Sequence, residues 1–470
     1  MVSASNRTGE SAEAEPDPAC DERRAYLSAH PQTELIDAFF FDLNGVPRGK
    51  RLPAGALDKL YTEGLCLPAS TVALDVWGLE VLDSGLVYET GDRDWRFRPV
   101  PGSLRPVPWA DTPTAQALLQ MEPGVGGACE GGDPRHVLAR VVRRFTDMGL
   151  TPVIAVELEF RLLDTVPGED GKPQLPRLPQ SGQRLSASQL LGLDELDELS
   201  PVFDEIRRAC QLQGVDTETL IAEQAEAHFE INLVHRPDAL AAADQAMLFK
   251  RTVRQVAARH GMIGCFMAKP FGDEPGSGMH VHFSLLDQQG RNIFDDGSQL
   301  GSTELRQAAA GMLALMNDST AIFAPHANSY RRFQMHAHVP MAPSWGYDNR
   351  TVAVRVPLAH DGSTHIEHRV AGADANPYLV VAAILAAAHH GISQRLTPPA
   401  PTEGDAYVQH APSLPASWEA ACACFEQSGV LREYLSDDFM ALFSALKRQE
   451  IEAMKRRVTL DEYAAYLRTV

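Results

Sequence analysis

Lys269-Pro270-Phe271-Gly272-Asp273-Glu274-Pro275-Gly276-Ser277-Gly278-Met279-His280-Val281-His282-Phe283-Ser284 reads as a glycine-rich loop that runs into a strand. Gly272, Gly276 and Gly278 let backbone amides approach an anion with no Cβ in the way, and they permit φ > 0. After the loop, His280, His282 and Ser284 alternate with Val281, Phe283 and Leu285, so one face of the strand is polar and the other apolar. A strand of this kind standing alone would simply hold its histidines in water.

It does not stand alone. In Val153–Phe160, Glu157 and Glu159 share a face; in His228–Leu233, His228, Glu230 and Asn232 oppose Phe229, Ile231 and Leu233; in His365–Val370 the polar set is His365, Glu367 and Arg369. Carboxylates on the inward face of a sheet are costly to bury unless a cation compensates them. Four such strands imply one polar cavity with metal in it.

These stretches resemble the glutamine synthetase family. Lys269–Ser284 looks like its signature loop, and further motifs follow in the family's order. They are Glu157-x-Glu159, Glu223 with Glu230, Asn328-Ser329-Tyr330-Arg331-Arg332, Asn349-Arg350 leading to Arg355-Val356-Pro357, Glu367-x-Arg369 and Asn376-Pro377-Tyr378. The likeness spans about residues 35 to 470. It implies an α+β fold: a small N-terminal β-grasp domain (23–125) and a large catalytic domain (126–470) whose curved antiparallel sheet is flanked by helices.

The resemblance also implies roles. Glu159, Glu223 and Glu230 match the carboxylates of one metal site, and Glu157, His280 and Glu367 match a second one between the nucleotide phosphates. Oxygen-rich ligand sets suit Mg²⁺ or Mn²⁺. Arg332 and Arg369 match arginines that hold the amino-acid carboxylate and the transferring phosphoryl group; Arg350 and Arg355 match those serving phosphate and nucleotide. Gly276 matches a glycine that meets substrate glutamate. Ser284, with His282 on the same face, matches the nucleotide pocket. No Walker A sequence is present, so ATP phosphates would be held by metal and guanidinium groups. A dodecamer of two stacked hexameric rings is implied, each site completed by a neighbour's N-terminal domain.

Four departures bear on the substrate. Pro275 stands where ammonia-using enzymes carry Asn, His338 where they carry an ammonium-binding Glu, Asp75-Val76-Trp77-Gly78 where they carry Asp-Gly-Ser-Ser, and His228 where Gln is usual. None touches a matched metal ligand. An intact phosphate apparatus beside a rebuilt ammonium pocket points to a larger amine. Phe41–Lys50, Ser344–Arg350 and Arg457–Tyr463 also look like the γ-glutamylpolyamine synthetase branch. The implied activity is ATP-dependent ligation of glutamate to a primary amine such as putrescine or spermidine through γ-glutamyl phosphate. His338 or Asp75 would assist deprotonation. Two alternatives stay open: a glutamine synthetase that uses ammonia, and a non-catalytic scaffold or nitrogen sensor.

Composition sets the bounds. A formal net charge of −20 argues against non-specific nucleic-acid binding. Seven scattered cysteines without a CxxC pair suit a reducing cytoplasm. No apolar run reaches the roughly 18 residues of a membrane span. Residues 1–22 read as a disordered tail with a helix near 21–30, and Gly124–Gly132 reads as a domain boundary. Asp133-Pro134 opens a helix that stops at Gly149, and helices are expected near 199–213, 237–260, 303–317 and 376–392. The Pro- and Gly-rich stretch from Asp164 to Ser188 reads as a surface loop, residues 397–417 as a connector, and Thr459-x-x-Glu462 as a capping box.

Overall fold

The computed structural model describes residues 18–122, 130–186, 189–358 and 362–470. Most of the expected tail and of the glycine-rich boundary lies outside them. The first helix, Pro18–Ala29, starts within the expected tail, so residues 18–22 are helical. Gly131 and Gly132 are packing positions: a Cβ would lie 2.5 Å from the Phe439 amide nitrogen and 2.7 Å from a Val72 methyl, respectively.

Six strands form the first sheet: β1 (Leu35–Phe41), β2 (Pro47–Pro53), β3 (Leu65–Pro68), β4 (Asp94–Pro99), β5 (Arg105–Pro106) and β6 (Thr114–Met121). The order is β2-β1-β6-β4-β3, with β5 also on β6. β1 and β2 make the expected hairpin, Gly45 taking φ 74 in the turn, and β1 runs parallel to β6. Phe40 and Phe97 stack at 4.5 Å inside it.

The second sheet has eight strands: β7 (Thr151–Asp164), β8 (Thr217–Ala222), β9 (His228–Leu233), β10 (Met262–Cys265), β11 (Met279–Leu286), β12 (Trp345–Tyr347), β13 (Val354–Val356) and β14 (Ile366–His368). Its order is β12-β13-β14-β11-β7-β9-β8, with β10 pairing the far end of β7. As expected the sheet is antiparallel, with one parallel ladder, β12–β13, at its edge. There Asp348, at φ 45, reverses the chain, and Asn349 anchors the turn on the carbonyls of Thr402 and Gly404.

The helix Pro377–Ser393 is buried along nearly its whole length and packs on helices Pro134–Thr146 and Thr303–Ala314. Gly311 and Gly391 allow that last contact: a Cβ on Gly311 would lie 2.0 Å from the Ala387 carbonyl oxygen. Its start follows the sequence signals, with Asn376 capping the Tyr378 amide and Pro377 in the first turn. The helix expected over 303–317 breaks at Leu315 into Thr303–Ala314 and Met316–Phe323.

One hydrophobic core runs through both sheets, and polar contacts join them. Asn376 donates to the Asp42 and Leu43 carbonyls. In the helix Asp437–Lys455, Glu450 accepts from Lys447 (2.9 Å), Asn44 (2.7 Å) and the Val76 amide (2.9 Å), all but sealed from solvent. Among the described residues, no helix is long and apolar enough to cross a membrane.

Candidate active site

Strand β7 is the ruler of the site. Its register sets Glu157 beside His280 of β11 and Asn232 of β9, and Glu159 beside Glu230 of β9. β11 in turn sets His282 beside Glu367 of β14, and Glu367 faces Arg355 of β13. Because side chains alternate along each strand, this register puts every one of these polar groups on one face. The apolar partners Val281, Phe283, Val156 and Leu158 are buried on the other.

The side chains converge. His280 Nδ1 lies 3.2 Å from Glu157 and 3.7 Å from Glu367, and its Nε2 lies 3.9 Å from Glu159. His282 Nε2 is 2.8 Å from Glu157, and Asn232 donates to the same carboxylate at 2.6 Å. Two triads have ligand atoms within 4.8 Å of one another: Glu157, Glu230 and His280, and Glu157, His282 and Glu367. This grouping differs from the one the resemblance implies. Glu230 joins Glu157 and His280, and His282, assigned above to the nucleotide, groups with Glu157 and Glu367. Glu223 follows β8 and is fixed by its amide on the His228 carbonyl (2.8 Å), close enough to feel the Glu159 charge.

The electrostatics call for a cation. Burial, and then the charges of Glu157, Glu159, Glu223 and Glu367, push the Glu230 carboxyl up to about 9, and burial with Glu159 also raises Glu223. Burial would likewise raise Glu159 and Glu367. Yet hydrogen bonding and charge from His228 bring Glu159 down to about 2, and Arg369, His280 and His282 do the same for Glu367. Glu157 is held well below the usual carboxylate range against its own burial by His280 and His282. Five carboxylates on one face, one of them forced to keep its proton, with imidazoles interleaved, fit oxygen-seeking divalent ions.

Arginines line the other side. Arg369 pairs with Glu367, which also takes Arg355 Nη1 at 2.8 Å. Arg332 is buried and donates to the Val370 carbonyl at 2.9 Å. Arg332, Arg355 and Arg369 each keep a buried Nε–H with no acceptor among the described residues, as suits donors that meet an anionic ligand. Gly276 presses on Arg332, where a Cβ would stand 2.6 Å from Cγ. Ser284 and His282 border a cavity of about 570 Å³ with Glu157, Asn232, His235 and His365.

Three expected residues stand elsewhere. Arg350 is exposed and lines a separate depression with Tyr347, Glu403 and Asp405. His338 is exposed on a loop where it and His336 both take positive φ (52 and 61). The Asp75 carboxylate is buried and accepts from the Trp77 and Leu79 amides and from Gln449, none of them in the cluster.

Two residues do work the sequence reading did not assign: Asn328, quoted there only as part of a motif, and Arg161, which it did not single out. Asn328 clamps Lys269 by a reciprocal pair, accepting its amide (2.8 Å) and donating to its carbonyl (2.9 Å). Arg161, wholly buried, reaches the glycine-rich loop from beneath. Its signal was available, since Glu157, Glu159 and Arg161 continue one alternation along β7.

Comparison with known proteins gives the family. Residues 131–466 match the family described as "Glutamine synthetase, catalytic domain". The chain is 40% identical to gamma-glutamylputrescine synthetase PuuA of Escherichia coli K12, covering 94% of this chain and 93% of that one. It is 31% identical to gamma-glutamylethanolamide synthetase GlnA4 of Streptomyces coelicolor over 92% of each. A solved structure described as a GmaS/ADP complex superposes with a TM-score of 0.81 at 28% identity, covering 96% of this chain and 99% of the other. A match over more than half the chain, on the same strands that carry the clustered carboxylates, shows that the chain belongs to the glutamine synthetase family.

Proposed function

We propose that the chain joins the γ-carboxylate of glutamate to a primary amine at the expense of ATP. A γ-carboxylate oxygen attacks the γ-phosphorus of ATP, ADP leaves, and an acyl phosphate forms. The amine nitrogen then attacks the acyl carbon, inorganic phosphate leaves and the nitrogen loses a proton. Glu157, Glu159, Glu223, Glu230, His280 and Glu367, with His282 beside them, would hold Mg²⁺ or Mn²⁺, which supplies charge neutralisation for the phosphates. Arg332 and Arg369 orient the amino acid and the transferring group, Gly276 meets glutamate, Arg355 serves phosphate, and Ser284 with its cavity takes the nucleotide.

The observation that carries the choice of amine over ammonia is the state of the ammonium pocket. Where a carboxylate would bind ammonium the chain has an exposed histidine, His338, and Asp75 spends its carboxylate on its own turn. The relatives named for putrescine and ethanolamine products support the same reading. Of the two bases expected, Asp75 is committed to its own turn and to Gln449, which leaves His338, exposed on its loop outside the cluster, as the candidate for taking the amine proton. Assembly into stacked hexameric rings belongs to this reading too; exposed Leu460, Tyr463, Tyr466 and Leu467 near the C-terminus are apolar surface such rings would cover. The deciding experiment is ADP release with glutamate and ammonium, ethanolamine, putrescine or spermidine. Fastest turnover is expected with a polyamine, and fastest turnover with ammonium would overturn the proposal.

A further inference from the structure

We infer that Arg161 is a positioning residue for the glycine-rich loop, working through Glu274 and Pro275 to set Gly276, Ser277 and Gly278 against Arg332, His228 and Glu159; the inference rests on the ligase reading. Arg161 sits on β7 two residues beyond Glu159, with none of its side chain exposed. Its Nη1 donates to the Glu274 carboxylate and, at 3.0 Å, to the Glu226 carbonyl, while Nη2 donates to the Pro275 carbonyl at 2.8 Å. The guanidinium also lies 5.2 Å from the Phe271 ring centre. One buried side chain therefore grips the loop at three residues and the turn before β9 at a fourth point. Its Nε–H has no acceptor among the described residues, so the Nη contacts are what offset the cost of burying the guanidinium, whose rigid fork suits several fixed acceptors at once.

What the grip positions lies just downstream. Lys269 Nζ donates to the Glu274 carbonyl and to Gln334, so Glu274 is held at both ends. Pro275 offers neither an amide side chain nor an N–H, and its carbonyl is the handle that remains. Beyond it, the Ser277 hydroxyl meets His228 at 3.2 Å and the Gly278 amide donates to Glu159 at 2.9 Å. The Gly278 backbone runs so close that a Cβ would sit 3.0 Å from both Arg332 and Glu159. With clearances this small, a shift of the loop moves the groups that orient substrate, and displacements of about 1 Å can cost about 100-fold in rate.

The test uses the full chain carrying Arg161→Met, Arg161→Lys or Glu274→Gln. Arg161→Met is expected to raise the KM for glutamate about tenfold. The KM for ATP should stay within about twofold, because the cavity beside Ser284 does not touch the grip. Amide hydrogen exchange over 271–278, measured without substrates, is expected to speed up at least about tenfold while the helix Pro377–Ser393 keeps its protection. Arg161→Lys should restore part of both effects, and Glu274→Gln should move both in the Met direction by less. Unchanged loop exchange and glutamate KM in a folded Arg161→Met protein would overturn the inference. So would a uniform rise in exchange and in both KM values, the mark of a merely structural residue. If the Met variant does not fold, wild-type behaviour of both other variants overturns it. Because exchange is read without substrate, it stands apart from whether the ligase reading survives the amine panel.

Discussion

Replacing Glu230 by Gln tests the electrostatics of the cluster directly. The Glu230 carboxyl goes from an ordinary 4.5 to about 9 on folding. Below pH 4.5 both folded and unfolded chains hold this proton, so it contributes no difference. Above that, the unfolded chain releases the proton while the folded one keeps it, and stability falls with each pH step until the folded group also ionises near 9. At 1.36 kcal/mol per unit over the 3.5 units from 4.5 to 8, the loss by pH 8 is about 5 kcal/mol. Glutamine mimics the protonated acid and titrates nowhere. In EDTA, Glu230→Gln should therefore come within about 1 kcal/mol of wild type near pH 5 and exceed it by up to about 5 kcal/mol at pH 8. Mg²⁺ or Mn²⁺ should close that gap by stabilising the wild type more. Urea unfolding from pH 5 to 9, with and without metal, reads both arms. Parallel pH profiles for the two proteins in EDTA would refute the claim that burial and carboxylate crowding, relieved by a cation, govern this face.

Gly278→Ala should leave the fold intact and lower turnover by about 100-fold, since its methyl enters the space between Arg332, Glu159 and His280; steady-state assays beside a thermal melt check both. Glu450→Ala leaves the buried Lys447 ammonium with Asn44 but without its counter-charge and takes an acceptor from Asn44 and from the Val76 amide, so urea unfolding should show a loss of roughly 3–5 kcal/mol. Ala227 takes φ 52 in the turn before β9, and Ala227→Gly should raise stability by about 1 kcal/mol, seen as a higher urea midpoint at an unchanged slope.

The parts of the site that the sequence made legible are those written in a period of two. Glu157 with Glu159, His228 with Glu230, and His280 with His282 alternate with apolar residues, and the burial of Val281, Phe283, Phe229 and Ile231 follows that alternation. Helix starts were legible where a side chain caps locally, as at Asp133, Asn376 and Thr459. What pairwise geometry decides was not. The Glu450 network joins residues about 400 positions apart, the helix break at Leu315 has no proline or glycine to announce it, and the regrouping of Glu230 with Glu157 depends on side-chain reach rather than on register. The Asp75 turn looked available for chemistry because a sequence shows a carboxylate without showing which amides it already serves.

Glu157, Glu159 and Arg161 occupy alternate positions of a single strand, and each serves a different neighbour: the histidines of β11, the cage shared with β9, and the underside of the glycine-rich loop. A one-residue insertion or deletion in β7 ahead of Glu157 would turn over the rest of the strand and send all three away together, since its face is set by parity. Such a lesion has no mild form. Lengthening or recomposing the loops that carry His338 or Asp75 leaves that parity untouched. If the amine meets those loops, as proposed, new amine preferences can be tried at the rim one loop at a time, while the cluster at the centre admits no gradual change of frame.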